Sequence, residues 1–178
     1  SDWPSRRGNS PHFRCMTGWT ARYGKRQTRN CAETRKVDIP MISSHFPWKK
    51  HGRIFASAGQ RPWMASHNQN PCALVLDDRI RVYFTCRPQP DQRGYFASVT
   101  SFVEIERDNP QSVIRVRDRP ILDLGGMGAF DQFGVMPGAV LQVGEEVWMY
   151  YVGWMRCEGA PYSHAIGLAI SRDGGVNF

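Results

Sequence analysis

Short runs of alternating apolar and polar residues characterise the chain from Trp48 onward. The clearest is RIRVYFTC, residues 79–86. One face of this run carries Ile80, Val82 and Phe84, and the other carries Arg79, Arg81, Tyr83 and Thr85. A period of two is the spacing of a β-strand. Since no segment after Met41 has the period of an amphipathic helix, the pattern predicts an all-β protein.

The same pattern predicts the other strands and the turns between them. They are expected over residues 52–57, 71–76, 94–106, 112–118, 120–124 and 164–171. Asp77 and Asp78 form the turn of a first hairpin. Residues 128–154 combine a loop that contains Asp131 with a second hairpin, which turns at residues 144–146. Trp148, Tyr150 and Tyr151 in this hairpin are expected to lie in the core between two sheets.

An internal repeat organises these strands. NPCALVLDDRIRVYF and MPGAVLQVGEEVWMYY share a Pro, an apolar strand, a turn and a second strand that ends in aromatic residues. Pro71 and Pro137 lie 66 residues apart, which is the length of one four-stranded propeller blade. The 138 residues after position 40 provide about two blades, fewer than the four or more of a closed propeller. The repeat therefore predicts part of a β-propeller.

The last eight residues, SRDGGVNF, fit the Asp-box pattern S-x-D-x-G-x-T-F/W, with Asn177 in the Thr position. The Asp of this motif, here Asp173, is expected to bond backbone N–H groups within a hairpin turn. The motif therefore indicates a structural role before any functional one. Because the sequence stops at the aromatic residue of the motif, we expect it to be a piece of a longer domain.

The net charge of +7 is concentrated in the first 40 residues, which hold nine Lys and Arg against three Asp and Glu. The remaining residues hold 14 against 13, so nucleic-acid binding is disfavoured as a function of the folded body. We expect a disordered or irregular leader over residues 1–40 and a partial propeller domain over 41–178. The alternative for the leader is an arm that binds RNA. Because the sequence does not begin with Met and Met41 stands just before the patterned part, the leader is also consistent with an upstream extension.

The cysteines favour a reducing compartment. Their number is odd, and no pair has the spacing of a metal site; they are Cys15, Cys31, Cys72, Cys86 and Cys157. Neither a signal peptide nor a membrane-spanning run is evident. The sequence therefore predicts a cytoplasmic protein without membrane contact, bound metal or cofactor, and no specific protein partner is indicated.

Several segments together resemble a known family. They are WKKHGRIF, SHNQNP-x-AL, RVYFTCR, ILDLGGMGAFDQFGVMPGAV, MYYVGW and PYSHAIGLAISRDGGVNF. They are similar to the N-terminal part of the five-bladed β-propeller glycosidase-like proteins, the relatives of glycoside hydrolase families 43, 32, 68 and 130. More closely, they resemble bacterial members often found with polysaccharide biosynthesis genes. The resemblance covers residues 48–178 and implies a carbohydrate-active five-bladed propeller, of which about two blades are present.

The resemblance and the repeat indicate a candidate site. The repeat places His67, Asn68, Asn70 and Asp131 in corresponding loops before the first strands of successive blades. Sugar cleavage needs one protonated and one ionised carboxyl group. Asp131 resembles the family's acid at the channel mouth and is the predicted catalytic residue. The alternative is that its side chain caps the turn toward Gly134.

The remaining site residues are predicted to bind sugar. Many relatives have Asp before the corresponding Pro, whereas this chain has Asn70, which cannot ionise and implies a binding role. Trp154 and Tyr162 could stack on sugar faces. Arg87 and His164 could bond hydroxyl, carboxylate or phosphate groups. The resemblance implies that the proton donor comes from a later blade.

The sequence leaves two functions of different classes open for the predicted propeller domain, residues 41–178. The first is a glycoside hydrolase-like enzyme acting on glycosidic bonds of an oligo- or polysaccharide, here incomplete and expected to be inactive alone. The second is a non-catalytic sugar-binding propeller associated with polysaccharide biosynthesis, which Asn70 favours. A basic arm that binds nucleic acid is a third function, confined to residues 1–40.

Overall fold

The computed structural model describes residues 47–57, 59 and 61–178, and the expected leader lies outside them. The described residues form seven β-strands and no helix, which confirms the all-β prediction. The strands are β1 (Ser66–Val75), β2 (Arg79–Arg87), β3 (Val99–Glu106), β4 (Val113–Val116), β5 (Gly134–Val143), β6 (Glu146–Met155) and β7 (Ser163–Ser171). This part of the chain therefore offers no helix of the length and apolarity needed to cross a bilayer.

The strands form two antiparallel sheets, with the orders β1-β2-β3-β4 and β5-β6-β7. The sequence repeat coincides with the start of each sheet, because Pro71 lies in β1 and Pro137 lies in β5. Both prolines stand at a register shift in an edge strand. Proline has no N–H to give to a ladder, so an edge or a bulge is where a strand tolerates it.

The main core lies between the two sheets. Tyr83 and Phe102 of the first sheet pack with Val135, Met149 and Tyr151 of the second. A second cluster covers the opposite face of the first sheet, where Phe84, Val103 and Ile105 are buried and Phe55 and Trp63 pack over them. Both faces of the first sheet are thus covered, and the alternation of β2 places a different core on each face.

A fully buried carboxylate, that of Glu104 in β3, lies in the first sheet. Its Oε1 accepts hydrogen bonds from Arg81 Nε at 3.0 Å and Nη2 at 2.8 Å, and its Oε2 pairs with Arg79 and Arg115. Burial acts to raise the pKa of Glu104, but Arg81 and Arg115 outweigh it and the pKa lies below its usual range. Buried charge is tolerated only when it is paired in this way.

The Asp-box turn after β7 packs on the first sheet. Arg81 Nη1 donates to the carbonyl of Gly174 at 2.6 Å, and the Tyr83 hydroxyl donates to the carbonyl of Gly175 at 2.8 Å. The ring of Phe178 meets the ring of Tyr83 edge-on at 5.9 Å. Gly175 has a φ of +82°, and a β-carbon there would collide with the Tyr83 hydroxyl. The motif thus holds the end of one sheet against the other.

Within the turn, the carboxylate of Asp173 accepts from the backbone N–H groups of Val176 and Asn177, at 3.0 and 2.9 Å. This confirms the structural role expected of the motif. Partial burial acts to raise the pKa of Asp173, but the Ser171 hydroxyl and these N–H groups stabilise its ionised form and hold the pKa well below its usual range.

Three predicted strands are corrected. Residues 52–57 form no strand; they lie over the first sheet, where the rings of Phe55 and Phe84 are 5.5 Å apart. Residues 120–124 form none either, since Ile121 makes single backbone bonds to Thr100 and Phe178 instead of a ladder. The strand expected from residue 94 begins at Val99, because the Asp91 side chain accepts two backbone N–H bonds in a preceding turn.

The outward face of the second sheet is apolar and exposed. Ile166 is 78% exposed and Tyr150 is 39% exposed, and Leu141 and Leu168 are exposed beside them. Three aromatic residues of β6, Trp148, Tyr150 and Tyr151, were predicted to lie in the core. The prediction is wrong for Tyr150, which is exposed, and correct for Tyr151, which is buried. Trp148 is half-buried, so the prediction is met only in part there. β6 alternates, so Tyr151 faces the first sheet and Tyr150 faces outward. An apolar surface of this kind is typical of an interaction face.

Glu104→Gln should lower the free energy of unfolding by about 3 kcal/mol at neutral pH, because three arginines lose the charge they share. The folded pKa is lowered, so the contribution is present above the ordinary value of 4.5 and is lost as pH falls through the folded pKa. Urea unfolding of both proteins should therefore converge in acid. The exposed Glu106→Gln is the matched control, and equal effects of the two substitutions would contradict the buried network.

The exposed face of the second sheet should make the chain self-associate. Sedimentation velocity should show association that grows with concentration, and Ile166→Lys should weaken it about tenfold, since burying an Ile contributes roughly 1.5 to 3 kcal/mol. Met127→Lys is the control, because Met127 is 97% exposed but lies outside the sheet. A chain that stays monomeric at every concentration would rule out this role for the face.

Candidate functional site

Five of the predicted site residues line one pocket of about 250 Å³. The lining residues are Gln69, Asn70, Arg87, Met136, Trp154, Tyr162 and His164. They come from β1, the end of β2, β5, the end of β6, the loop before β7 and the start of β7, so both sheets contribute. The structure thus brings together residues that are 94 positions apart in sequence, from Asn70 to His164.

Strand register explains the second-sheet side of the pocket. Gly134, Trp154 and His164 are cross-strand neighbours on β5, β6 and β7. The indole of Trp154 lies across Gly134, where a β-carbon would collide with it. The rings of Tyr162 and His164 are 4.8 Å apart. A continuous wall of two aromatic rings and an imidazole results.

The first-sheet side begins with an irregular stretch of β1. His67 and Asn70 have φ values of +63° and +53°, and the pairing with β2 shifts register twice over residues 66–72. Asn adopts the left-handed region more readily than most residues, at a modest cost. Asn70 precedes Pro71 as Met136 precedes Pro137, and both line the pocket. The repeat therefore contributes equivalent positions from the two sheets.

His67, Asn68 and Asn70 were expected in a loop before the strand, and this placement is wrong. All three lie inside β1, because the pairing of Ser66 with Arg87 extends the strand past the bulges. His67 and Asn68 do not line the pocket. A ring nitrogen of His67 lies 2.8 Å from the Ser66 hydroxyl, and Asn68 borders a separate, mostly apolar cavity of about 240 Å³ beside Phe55.

Arg87 supplies the positive charge of the pocket. Its guanidinium lies 5.6 Å from the ring centre of Phe96. Its Nε is buried and has no hydrogen-bond partner among the described residues. None of the ion pairs formed within the described part of the chain includes it.

Further aromatic rings and a second arginine pack against Trp154 of the pocket wall. The ring centres of Phe133 and Trp154 are 6.0 Å apart. The guanidinium of Arg156 lies 4.0 Å from the centre of Phe133 and 3.9 Å from that of Tyr95. It also donates to the carbonyl of Phe96 at 3.2 Å. This support was not predicted, because no sequence pattern connects the loop before β3 with the end of β6.

Asp131 is not among the residues that line the pocket. Its side chain is only 8% exposed, and the Tyr151 hydroxyl donates to its Oδ2 at 2.8 Å. It packs beside Gly125 and Gly153, where any β-carbon would collide with it. Gly153 and Trp154 are consecutive in β6 and face opposite sides of the sheet. Asp131 and the pocket therefore lie on opposite faces of β6.

The turn at Asp131 is closed by its backbone rather than its side chain. The N–H of Gly134 donates to the carbonyl of Asp131 at 3.3 Å. The carboxylate is thus free of the capping role and engages Tyr151 instead. Burial, and then the hydrogen bond to Asp131, raise the pKa of Tyr151 to about 12. A catalytic role for Asp131 stays a prediction.

The pocket offers groups for binding rather than for proton transfer by acids. It presents two aromatic rings, a guanidinium, an imidazole and two carboxamides, and none of the Asp and Glu residues that the structure describes lines it. Gln69 and Met136 were missed from the sequence; the equivalence of Met136 with Asn70 in the repeat is the signal that could have found it. Within the described residues, no three His, Cys, Asp or Glu side chains cluster as metal ligands.

Comparison with known proteins gives curated relatives and weak structural likenesses. No family model matches the chain. The uncharacterized proteins MT1551 and Rv1502 of Mycobacterium tuberculosis are each 33% identical over 128 residues, which cover 71% of this chain and 41% of theirs. The chain thus spans about two fifths of the length of these curated relatives.

One structural likeness is to a crystal structure from Parabacteroides distasonis ATCC 8503, provisionally described as a glycoside hydrolase. The TM-score is 0.48 at 16% sequence identity, and the match covers 65% of this chain and 34% of that one. This likeness is too weak to assign a fold or an activity.

Tyr151→Phe should lower the free energy of unfolding by about 1 to 3 kcal/mol, because it leaves the buried Asp131 carboxylate without its donor. Tyr150→Phe is the matched control, since Tyr150 is exposed on the opposite face of β6. Urea denaturation measures both. Equal stabilities of the two variants would contradict the buried hydrogen bond.

Proposed function

We propose that this chain is the sugar-binding part of a carbohydrate-active β-propeller of the glycoside hydrolase type. The observation that carries the proposal is the pocket, in which Asn70, Arg87, Trp154, Tyr162 and His164 meet although each was selected from sequence alone. Sugars have apolar C–H faces and polar edges, so a site that mixes aromatic faces with convergent polar groups suits them. Two antiparallel sheets that begin at repeated prolines support the propeller.

In this proposal the predicted catalytic carboxyl group, that of Asp131, does not contact the pocket. Hydrolysis needs a second, and the carboxyl separation determines the stereochemistry. Asp131 is held by Tyr151 on the far side of β6 from Trp154, so this chain alone should bind an oligosaccharide without cleaving it. If the chain alone cleaved an oligosaccharide, and Asp131→Asn abolished that cleavage, the expected inactivity would be contradicted.

A non-catalytic sugar-binding propeller is the second candidate. Two observations favour it: no carboxylate in the described part of the chain lines the pocket, and the position before Pro71 is Asn70 rather than Asp. The two candidates share the pocket and differ in whether the whole protein supplies carboxyl groups to it.

Trp154→Ala should weaken oligosaccharide binding about tenfold, since aromatic contacts contribute roughly 0.5 to 1.5 kcal/mol beyond the area that they bury. Isothermal titration calorimetry with a panel of bacterial oligosaccharides measures the effect. Trp48→Ala is the control, because Trp48 is 92% exposed and outside the pocket. Absence of binding across the panel, or equal binding by Trp154→Ala, would refute the proposal.

A further inference from the structure

We propose that the sugar bound in this pocket carries a negatively charged group, a carboxylate or a phosphate, and that Arg87 binds that group. The inference rests on the proposed sugar-binding function and adds the chemical class of the ligand. It follows from an arginine in the pocket wall whose side chain has no hydrogen-bond or ion-pair partner among the described residues.

Other arginines of the first sheet have side-chain partners among the described residues. Arg81 and the exposed Arg115 pair with Glu104, and Arg117, whose Nε also lacks a hydrogen bond, donates from Nη2 to Asn177. Arg87 lies at the end of the same strand as Arg81 and is half-buried, yet no ion pair of the described residues includes it. Its buried Nε lacks any hydrogen bond within the described chain. An unpartnered guanidinium in a pocket is a site for an anion.

The surroundings of Arg87 favour pairing with an anionic group of a ligand over pairing with an Asp or Glu side chain of the chain itself. No Asp or Glu of the described residues lines the pocket, and the Asp131 carboxylate lies on the other face of β6 and is bonded to Tyr151. Arg156, the other arginine at this end, is enclosed between Tyr95 and Phe133. Among the described residues that line the pocket, Arg87 therefore supplies the positive charge, and His164 contributes an imidazole.

The geometry also explains why the ligand is a charged sugar rather than a bare anion. Phe96 supports the Arg87 guanidinium, whose planar fork matches the paired oxygens of a carboxylate or phosphate. Trp154 and Tyr162 line the same pocket and provide apolar ring faces that an inorganic ion cannot use. A sugar with an anionic substituent occupies both kinds of surface at once.

The test compares matched ligands on the full chain by calorimetry. The probes are glucose, galactose and mannose, their uronic acids, their 6-phosphates, and inorganic phosphate. At least one charged sugar should bind about tenfold more tightly than its neutral parent, as expected of a charge-assisted pair. The uronic acids and the 6-phosphates separate the two sources of charge. Inorganic phosphate measures the contribution of the anion alone.

Substitutions at Arg87 test whether this residue causes the preference for charged over neutral sugars. Arg87→Gln should reduce the charged-to-neutral preference to near one, and Arg87→Lys should retain part of it, because the charge stays while the fork is lost. Arg53→Gln removes the same charge from an exposed position outside the pocket and should leave the preference unchanged. Circular dichroism checks that each variant is folded.

The outcomes separate the two proposals. Neutral parents that bind as tightly as their charged partners, or a preference that Arg87→Gln leaves intact, would overturn the anionic ligand while sugar binding stands. Binding of inorganic phosphate alone, with no sugar of this set or of the oligosaccharide panel bound, would overturn the sugar-binding function. No binding of any probe of this set would overturn the anionic ligand, while the oligosaccharide panel tests sugar binding on its own.

Discussion

The buried carboxylate of Glu104 is the interaction on which the arrangement of the two sheets depends. A charge without access to water must be paired, and the partners come from the neighbouring strands β2 and β4. Arg81 uses its remaining nitrogen to hold the carbonyl of Gly174, which follows the last strand of the second sheet. One guanidinium therefore neutralises the interior of one sheet and fixes the end of the other.

This connection matters for the pocket because its walls come from different sheets. Asn70 and Arg87 belong to the first sheet, and Trp154 and His164 belong to the second. A small shift between the sheets would change the distance from the guanidinium to the rings. The contacts between the sheets therefore set the relative positions of the binding groups, and the backbone of β1 among them is irregular.

The sequence predicted elements that depend on neighbours in the chain and missed those that depend on distant partners. The alternation of residues 79–86 identified β2, and the repeated prolines identified the start of each sheet. The burial of Arg81 could not be foreseen, since Glu104 lies 23 residues away. Residues 52–57 have a strand-like composition but pair with no strand among residues 61–178. Asp131 was identified as a special carboxylate, but its contact with Tyr151 depends on the path of β6.

Gly134 shows how a residue without a side chain can shape a binding surface. The indole of Trp154 rests where any β-carbon at position 134 would stand, so even alanine would displace the ring that forms the wall. Position 134 is therefore as much a determinant of ligand shape as position 154, although it contributes no atom that a ligand would recognise. A mutagenesis library directed at altered specificity should vary the two positions together, because a smaller residue at 154 makes room for side chains at 134 that the present indole forbids.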